Sequence, residues 1–311
     1  MGKCVIIETD GSKTVKDDCD IDTFLLSHPA GVYTVGRTLR NRQAVVELKH
    51  HEQRLINSLR GKGLWPETAD TTPICRALRK AWAATVEASK DCFDARDELR
   101  LTALVVEADV ASGHVVLATM AEALPVVHGP VGVEIWAAAR ETPGVKDSAW
   151  VRKRKHMKER THQPHINEVL LLHEDSDGSL TGTISEGLSS NFFAVSADGK
   201  SIITAPEGTV LNGTVRAMVL RACEELNIPV IQECPRVPST EDKQSTWSGA
   251  FITSTTRMVL DIDEAHFIDH VSEKEGRPAL RFSVPHPLIA QIQRRAVELL
   301  DAVSLSLDAT P

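Results

Sequence analysis

The sequence predicts a mixed α/β protein of the α+β class, organised as two domains. Its 311 residues can supply two hydrophobic cores, and the hydrophobic content of 42% and charged content of 25% are ordinary for a globular chain. Short apolar runs typical of strands alternate with segments in which apolar residues recur every three or four positions, as on one face of a helix. The sequence contains neither internal repeats nor low-complexity segments.

The first 122 residues predict one mixed layer of sheet and helix. Apolar runs predict strands at residues 5–8, 31–35, 45–48, 99–107 and 114–120. Helical spacing predicts one helix through His51, Leu55 and Leu59, and another over about residues 73–90.

Residues 123–130 carry two prolines and a glycine and are the best linker candidate. They separate a predicted smaller N-terminal α/β domain (1–122) from a larger C-terminal domain (131–311). In the latter, the same signals predict strands at residues 133–138, 168–172, 192–195, 201–204 and 250–254. They also predict a turn at 175–179 and helices at 214–226 and 287–303.

Charge and cysteine usage exclude several function classes. The formal net charge of −8 argues against nucleic-acid or anionic-membrane partners, and no apolar run is long enough for a membrane span. Six widely spaced cysteines without a C-x-x-C pair predict free thiols, no metal finger and a cytoplasmic protein. The basic run at 152–160 could be a nuclear signal or nucleic-acid patch, but a solvated helix face is the favoured interpretation.

Three separated segments combine glycine, hydroxyl and acidic residues in an unusual way. Glu186-Gly187-Leu188-Ser189-Ser190-Asn191 precedes a predicted buried strand, where a carboxylate needs a charged or hydrogen-bonding partner. Leu211-Asn212-Gly213-Thr214-Val215-Arg216 places a glycine at the start of a helix, whose free N–H groups can bind an anion. Thr253-Ser254-Thr255-Thr256 follows a strand with four consecutive hydroxyl groups.

Together these segments resemble the signature of the class IV, pyridoxal-phosphate-dependent aminotransferases, and the resemblance covers roughly residues 30–262. Branched-chain aminotransferases, D-amino acid aminotransferases and aminodeoxychorismate lyases are members. The resemblance implies the two-domain fold type IV of D-amino acid aminotransferase, with pyridoxal 5'-phosphate between the domains. It also implies a homodimer that acts in amino acid metabolism on a small-molecule amino donor and an oxo acid acceptor.

The resemblance assigns the cofactor lysine to Lys146. A pyridoxal enzyme needs an amine to hold the cofactor aldehyde as a Schiff base, the internal aldimine. Lys146 lies 22 residues before Glu168, which is the usual spacing in the family. The longer gap of 40 residues to Glu186 is explained by an extended hairpin turn at 175–183. A solvated surface lysine is the alternative.

The signature also assigns the groups around the cofactor ring and phosphate. Glu186 would face the pyridine nitrogen and keep it protonated, and Asn191 would brace the loop. The pattern His51-x-x-Arg54-Leu55 resembles a family motif whose arginine binds the phosphate, for which a guanidinium suits two-point contact. The remaining phosphate donors would be the three groups at the helix start and in the threonine cluster, namely Thr214, Val215 and Thr255. Each could instead serve only as a cap or turn residue.

Two departures from the family pattern leave the substrate open. The positions that hold a tyrosine after the lysine in branched-chain members are Trp150 and Val151, and the strand 101–107 lacks the arginine of D-amino acid members. Other groups must therefore bind the substrate carboxylate. The candidates are Tyr33, Arg37, Arg40 and Arg257, and the arginines could equally be surface residues.

The predicted function is a transaminase that moves an amino group between an amino acid or amine and a 2-oxo acid, with Lys146 as catalytic residue and no metal. The nearest alternative is a lyase of the aminodeoxychorismate type, which releases pyruvate. A more remote alternative is a non-catalytic binding protein on the same scaffold, with the basic run as partner site.

Overall fold

The computed structural model describes residues 2–161, 165–175, 179–238, 247–268 and 275–307. It confirms the predicted mixture of sheet and helix. The chain divides into two compact units, and each collects separate parts of the sequence. The first unit comprises Met1–Val126, Gly144–Lys153 and Leu300–Pro311, and the second comprises Val127–Pro143 and Arg154–Leu299.

The first unit is built on a seven-stranded sheet in the order β16-β4-β3-β5-β6-β1-β2. Its strands are β1 (Gly2–Ile7), β2 (Lys13–Cys19), β3 (Tyr33–Leu39), β4 (Ala44–Val46), β5 (Leu99–Asp109), β6 (His114–Ala123) and β16 (Ser304–Ser306). All neighbouring strands pair antiparallel. Its helices are α1 (Ile21–Leu26), α2 (Leu48–Gly61) and α3 (Thr72–Ala88).

Helix α3 shows why the predicted helical spacing was correct. Ile74, Leu78 and Trp82 follow one another at intervals of four residues, and all three are fully buried in the core of this unit. Trp82 also explains a glycine in the sheet. A Cβ atom at Gly36 of β3 would lie 2.8 Å from the Trp82 ring, so the close approach of indole and strand requires glycine.

Helix α2 differs because polar residues share its buried face with leucines. His51, Arg54 and Ser58 recur every three or four residues and are buried beside Leu55 and Leu59. Buried arginine and histidine side chains are uncommon, so this face has more than a packing role.

The second unit is built on a nine-stranded sheet in which β12-β11-β10-β13-β14-β7-β8-β9 follow one another. A further pairing of β10 with β9 makes the sheet barrel-like, and β15 pairs with β14. The strands are β7 (Val131–Ala138), β8 (Ile166–Glu174), β9 (Leu180–Gly187), β10 (Asn191–Val195), β11 (Ile202–Thr204), β12 (Val230–Gln232), β13 (Gly249–Ser254), β14 (Met258–Ile268) and β15 (Glu275–Arg281). Helices α4 (Ser148–Glu159) and α6 (Pro287–Ala302) have residues in both units, and α5 (Thr214–Glu225) lies in this one.

Strand β10 is buried along its whole length, as the sequence predicted for the run that ends at Val195. One face contributes Phe192 to a core with Ile252. The opposite face stacks Phe193 on Phe251, with ring centroids 4.7 Å apart, beside the apolar faces of α5 and α6. Because both faces are packed, the position of the residue that starts this strand, Asn191, is tightly defined.

Several elements of the fold were not predicted from the sequence, and the structure shows why. Strand β2 is largely polar and exposed at the edge of its sheet, so it carries no apolar alternation. Strand β9 forms a hairpin with β8 over the insertion predicted as an extended turn, and residues 176–178 of the predicted turn lie outside the described residues. The basic run 152–160 lies almost entirely on α4, where Arg152 and Arg154 donate to backbone carbonyls.

The two compact units and the predicted domain boundaries divide the chain differently. The predicted linker at 123–130 is irregular after Ala123, the last residue of β6. Residues Gly144–Lys153, however, belong to the first unit, and Lys146 with them. The predicted boundaries therefore stay a prediction. Within the described residues, no helix combines the length and apolar character needed to cross a membrane.

Candidate active site

Lys146 is held by backbone contacts within the first unit. Its N–H donates to the Ser58 hydroxyl at 3.0 Å, and its carbonyl accepts from the Tyr33 N–H at 3.0 Å. The Lys146 Nζ lies 4.7 Å from the centroid of the Tyr33 ring, the only tyrosine in the chain. Such a cation–π contact favours a defined position of the ammonium group over a freely moving one.

The polar face of α2 lies beside this lysine. Burial lowers the pKa of His51 well below its usual value, and the nearby positive charges of Arg54 and Lys146 lower it further, so this imidazole is neutral. The Thr34 hydroxyl and His51 Nδ1 are hydrogen-bonded at 2.8 Å. Burial likewise lowers the pKa of Arg54 to about 10, with a partial compensation from Tyr33. Arg54 remains a cation at neutral pH.

We call Tyr33, His51, Arg54, Ser58 and Lys146 the lysine cluster. It brings together the residues of the H-x-x-R-L pattern and the predicted cofactor lysine, although more than 90 residues separate them in the sequence. The cluster carries two cations in a largely buried setting, an arrangement that suits a multiply charged anion.

Glu186 lies in the second unit at the end of β9, and its side chain is only 6% exposed. Its Oε1 accepts from Arg140 Nε at 2.9 Å, and its Oε2 accepts from the Leu211 N–H at 3.2 Å. Arg140 also donates to the carbonyl of Pro143. The charged partner that the sequence demanded for this carboxylate is therefore Arg140, within the protein itself.

Asn191 connects the strand after Glu186 to the start of α5. Its Nδ2 donates to the Leu211 carbonyl at 2.8 Å. A Cβ atom on Gly213 would lie 2.2 Å from the Asn191 Oδ1, so only glycine allows this approach. We call Arg140, Glu186, Asn191 and the segment 211–215 the glutamate cluster.

The start of α5 leaves its first N–H groups without a side-chain cap. The N-cap residue Gly213 has no side chain to accept from them, and Thr214 and Val215 are the first two helical residues. The Thr214 and Thr255 hydroxyls are hydrogen-bonded at 3.2 Å, although 41 residues separate them. Two hydroxyl groups thus lie next to the positive end of a helix, which favours binding of an anion such as phosphate.

Arg257 follows the threonine cluster and forms a buried ion pair with Glu168. Its Nη2 lies 2.6 Å from Glu168 Oε2, which also accepts from the hydroxyls of Ser189 and Ser190. Burial alone would raise the pKa of Glu168, but the guanidinium and the two hydroxyl donors outweigh it and hold the pKa below its usual value. Arg257 is therefore engaged inside the protein.

The two remaining arginine candidates have different environments. Arg40 is exposed and donates to the carboxylate and the carbonyl of Asp301. Arg37 shares one face of β3 with Tyr33, and burial lowers the pKa of its guanidinium. Among the residues that the structure describes, no hydrogen-bond acceptor contacts the buried Arg37 Nε.

Two arginines near Glu186 were not predicted from the sequence. Arg140 was overlooked because its partner lies 46 residues away, and Arg216 because it follows the glycine motif as an apparently ordinary helix residue. Arg216 is almost fully buried, donates to the Ala205 carbonyl at 2.8 Å and is influenced by the charges of Glu186 and Glu207. An arginine within a run of buried residues was the available signal.

A sequence profile described as amino-transferase class IV matches residues 31–265, about three quarters of the chain. The chain belongs to the class IV aminotransferase family. It is therefore an enzyme of a family whose cofactor is pyridoxal phosphate, and the resemblance read from the sequence is confirmed.

Solved aminotransferases share the fold of the chain. A hypothetical aminotransferase from Mycobacterium tuberculosis in a PLP-bound form is 14% identical with a TM-score of 0.64, over 94% of this chain and 98% of that one. A branched-chain amino acid aminotransferase from Thermobaculum terrenum in its PLP form is 17% identical with a TM-score of 0.62, over 99% and 98%. A branched-chain aminotransferase from Thermoproteus uzoniensis with norvaline is 18% identical with a TM-score of 0.61, over 98% and 99%. A search of curated protein sequences gives no significant match.

Each cluster, taken by itself, offers groups that suit part of pyridoxal phosphate. The cofactor needs an amine, a carboxylate partner for its ring nitrogen and cationic or N–H donors for its phosphate. The lysine cluster supplies an amine and a buried guanidinium, and the glutamate cluster supplies a buried carboxylate beside an uncapped helix start.

Proposed function

We propose that this class IV aminotransferase transfers an amino group between an amino acid or amine and a 2-oxo acid, with Lys146 as the residue that bonds the cofactor. The observation that carries the proposal is the placement of Lys146 against the Tyr33 ring and the Arg54 face of α2. A surface lysine would not need this surrounding, in which a neutral histidine and a buried arginine lie close to one ammonium group.

The remaining roles follow from the donors that each cluster offers. Arg54 and the donors at the α5 start, Thr214, Val215 and Thr255, would bind the phosphate. Glu186 would hold the ring nitrogen protonated, and Arg140 would keep that carboxylate charged and oriented through its 2.9 Å contact. The bound cofactor supplies the electron-withdrawing ring that makes the substrate α-proton removable.

Lys146 would then move that proton. As a free amine, its Nζ would act first as general base, accepting the α-proton, and then as general acid, returning the proton to a different carbon. The contact with Tyr33 restricts the positions that the Lys146 amine can take. Proton transfer between two nearby carbons requires such a restriction.

Substrate carboxylate binding is proposed for Tyr33 and Arg37. They share one face of β3, and Arg37 is the arginine candidate with a buried Nε that meets no acceptor among the described residues. Arg40 and Arg257 already donate to Asp301 and Glu168.

The test of the lysine role is a spectrum combined with chemical trapping. We expect the purified enzyme to absorb in the visible range, and borohydride to fix the cofactor on the peptide that contains Lys146. Lys146→Ala should abolish both signals. Lys155→Ala, which removes an exposed lysine on the nearby helix α4, should keep them. Trapping that persists in Lys146→Ala would refute the assignment.

A product assay separates transamination from lyase activity. Addition of an amino donor should bleach the visible band and produce aminated cofactor, and a 2-oxo acid should restore the band, as in a two-step exchange. Release of pyruvate with a persistent band would instead show the lyase reaction.

We propose a cytoplasmic location on the ground of the cysteines, and a homodimer on the ground of the family resemblance. All six cysteines are free, as in proteins of a reducing compartment. Light scattering during size-exclusion chromatography measures the assembly, and a mass near twice 34.0 kDa would support the dimer.

A further inference from the structure

Three metal-binding side chains meet in the second unit, apart from the residues assigned to the cofactor. His165 immediately precedes β8, and Glu264 and His266 lie two residues apart on β14. One ligand atom from each side chain lies within 4.8 Å of the others. We call these residues the His-Glu-His cluster.

The distances in this cluster match those between zinc ligands. His165 Nε2 lies 3.3 Å from Glu264 Oε2, and His266 Nε2 lies 3.3 Å from Glu264 Oε1. Ligand atoms at about 2.0–2.1 Å from a tetrahedral Zn²⁺ lie about 3.3–3.4 Å from one another. Each histidine Nε2 already lies at this distance from one of the two Glu264 oxygens. The three ligand atoms, one from each residue, lie within 4.8 Å of one another, so a shift of the exposed His165 side chain is what a single shared ion would require.

Two of the three candidate ligands are buried, and the third is accessible to solvent. Glu264 and His266 are buried, whereas half of the His165 side chain is exposed and could bring a metal in from solvent. Glu134 is fully buried and pairs with His266 in the β7–β14 register, so a second carboxylate lies on the same face. This negative charge favours a cation.

Arg281 occupies part of the site. Its guanidinium contacts Glu264 Oε1, but the Arg281 side chain is 77% exposed. Because the arginine end of this ion pair is exposed, the guanidinium regains water when a divalent cation takes its place on Glu264. Arg281 therefore competes with a metal ion for the Glu264 carboxylate, and a substitution can remove this competition.

We propose that His165, Glu264 and His266 bind one zinc ion, with water as the fourth ligand. Two imidazole nitrogens and one carboxylate oxygen are a typical zinc donor set. The ion would connect the start of β8 to β14 and so stabilise this part of the second unit.

The test uses the tag-free holoenzyme after treatment with a chelator and gel filtration. We expect calorimetric titration with Zn²⁺ to show one site per chain, and Co²⁺ to give the visible spectrum of a tetrahedral complex. His165→Ala and Glu264→Gln should abolish the site. His165 is exposed, so its variant keeps the test valid even if substitutions of the buried His266 prevent folding.

Two further variants make the test specific. Arg281→Ala should tighten zinc binding by up to about fivefold, because it removes the competing cation. His173→Ala removes a histidine whose Nε2 lies 3.1 Å from the Cys234 thiol, and should leave the zinc affinity unchanged. Absence of stoichiometric binding, retention of the site in His165→Ala or its loss in His173→Ala would each overturn the proposal.

Discussion

The buried ion pair between Glu168 and Arg257 leads to a stability prediction whose magnitude depends on pH. The Glu168 side chain is 2% exposed and that of Arg257 is 13% exposed. Removing one partner of a buried pair commonly costs about 3–5 kcal/mol, because the other charge is left uncompensated. Since Ser189 and Ser190 still donate to Glu168, we expect Arg257→Met to lose about 3 kcal/mol of unfolding free energy at pH 8.

The pH dependence distinguishes a charge effect from a packing effect. In the wild type the pKa of Glu168 is held below its unfolded value, so its contribution is complete above about pH 4.3 and is lost as the pH falls through the folded pKa. Without Arg257, burial raises the pKa of Glu168 instead. The variant then loses stability as the pH rises above about 4.3, by about 1.4 kcal/mol for each unit of pKa shift.

Urea unfolding at pH 5 and pH 8, followed by tryptophan fluorescence and circular dichroism, measures both effects. The deficit of Arg257→Met should be larger at pH 8 by at least about 1 kcal/mol. The double variant Glu168→Gln/Arg257→Met should lose this difference, because it has no buried charge. Arg221→Met breaks only an exposed pair with Glu225 and should cost less than about 1 kcal/mol at either pH. Equal deficits of Arg257→Met at both pH values would refute the charge argument.

Three further outcomes are expected. Gly213→Ala should destabilise the protein by about 1–3 kcal/mol in urea unfolding and weaken cofactor affinity, because its Cβ would collide with the Asn191 Oδ1. Arg54→Gln should raise the dissociation constant for pyridoxal phosphate about 10- to 100-fold in a fluorescence titration, since a buried cationic donor is lost; unchanged affinity would exclude it from the phosphate site. Arg37→Ala should raise the KM for the 2-oxo acid about tenfold or more, and more than Arg40→Ala does; the reverse order would reassign the substrate carboxylate.

Much of the fold could be read from local patterns. The spacing of Ile74, Leu78 and Trp82 predicted α3, because a helix with one buried face has apolar residues at helical intervals. The apolar run after Asn191 predicted β10, because a strand buried on both faces is apolar throughout. Strand β2 left no such trace, since an exposed edge strand needs no apolar alternation. The division of the chain into units was equally hidden, because it depends on which distant segments pack together.

The sequence by itself determined the family and hence the cofactor. Its motifs are local: a glycine before a helix start, an H-x-x-R-L pattern on one helical face and a carboxylate ahead of a buried strand. Each of these needs only neighbouring residues to have its physical effect.

Only the tertiary structure decided the partners of the charged groups. It paired Glu186 with Arg140, Glu168 with Arg257 and Lys146 with Tyr33, over separations of 46 to 113 residues. No local pattern encodes such pairs, because burial removes the charges from water and then makes them depend on whatever group the fold brings within reach. For the same reason Arg257, which the sequence offered as a substrate ligand, is held by an internal carboxylate.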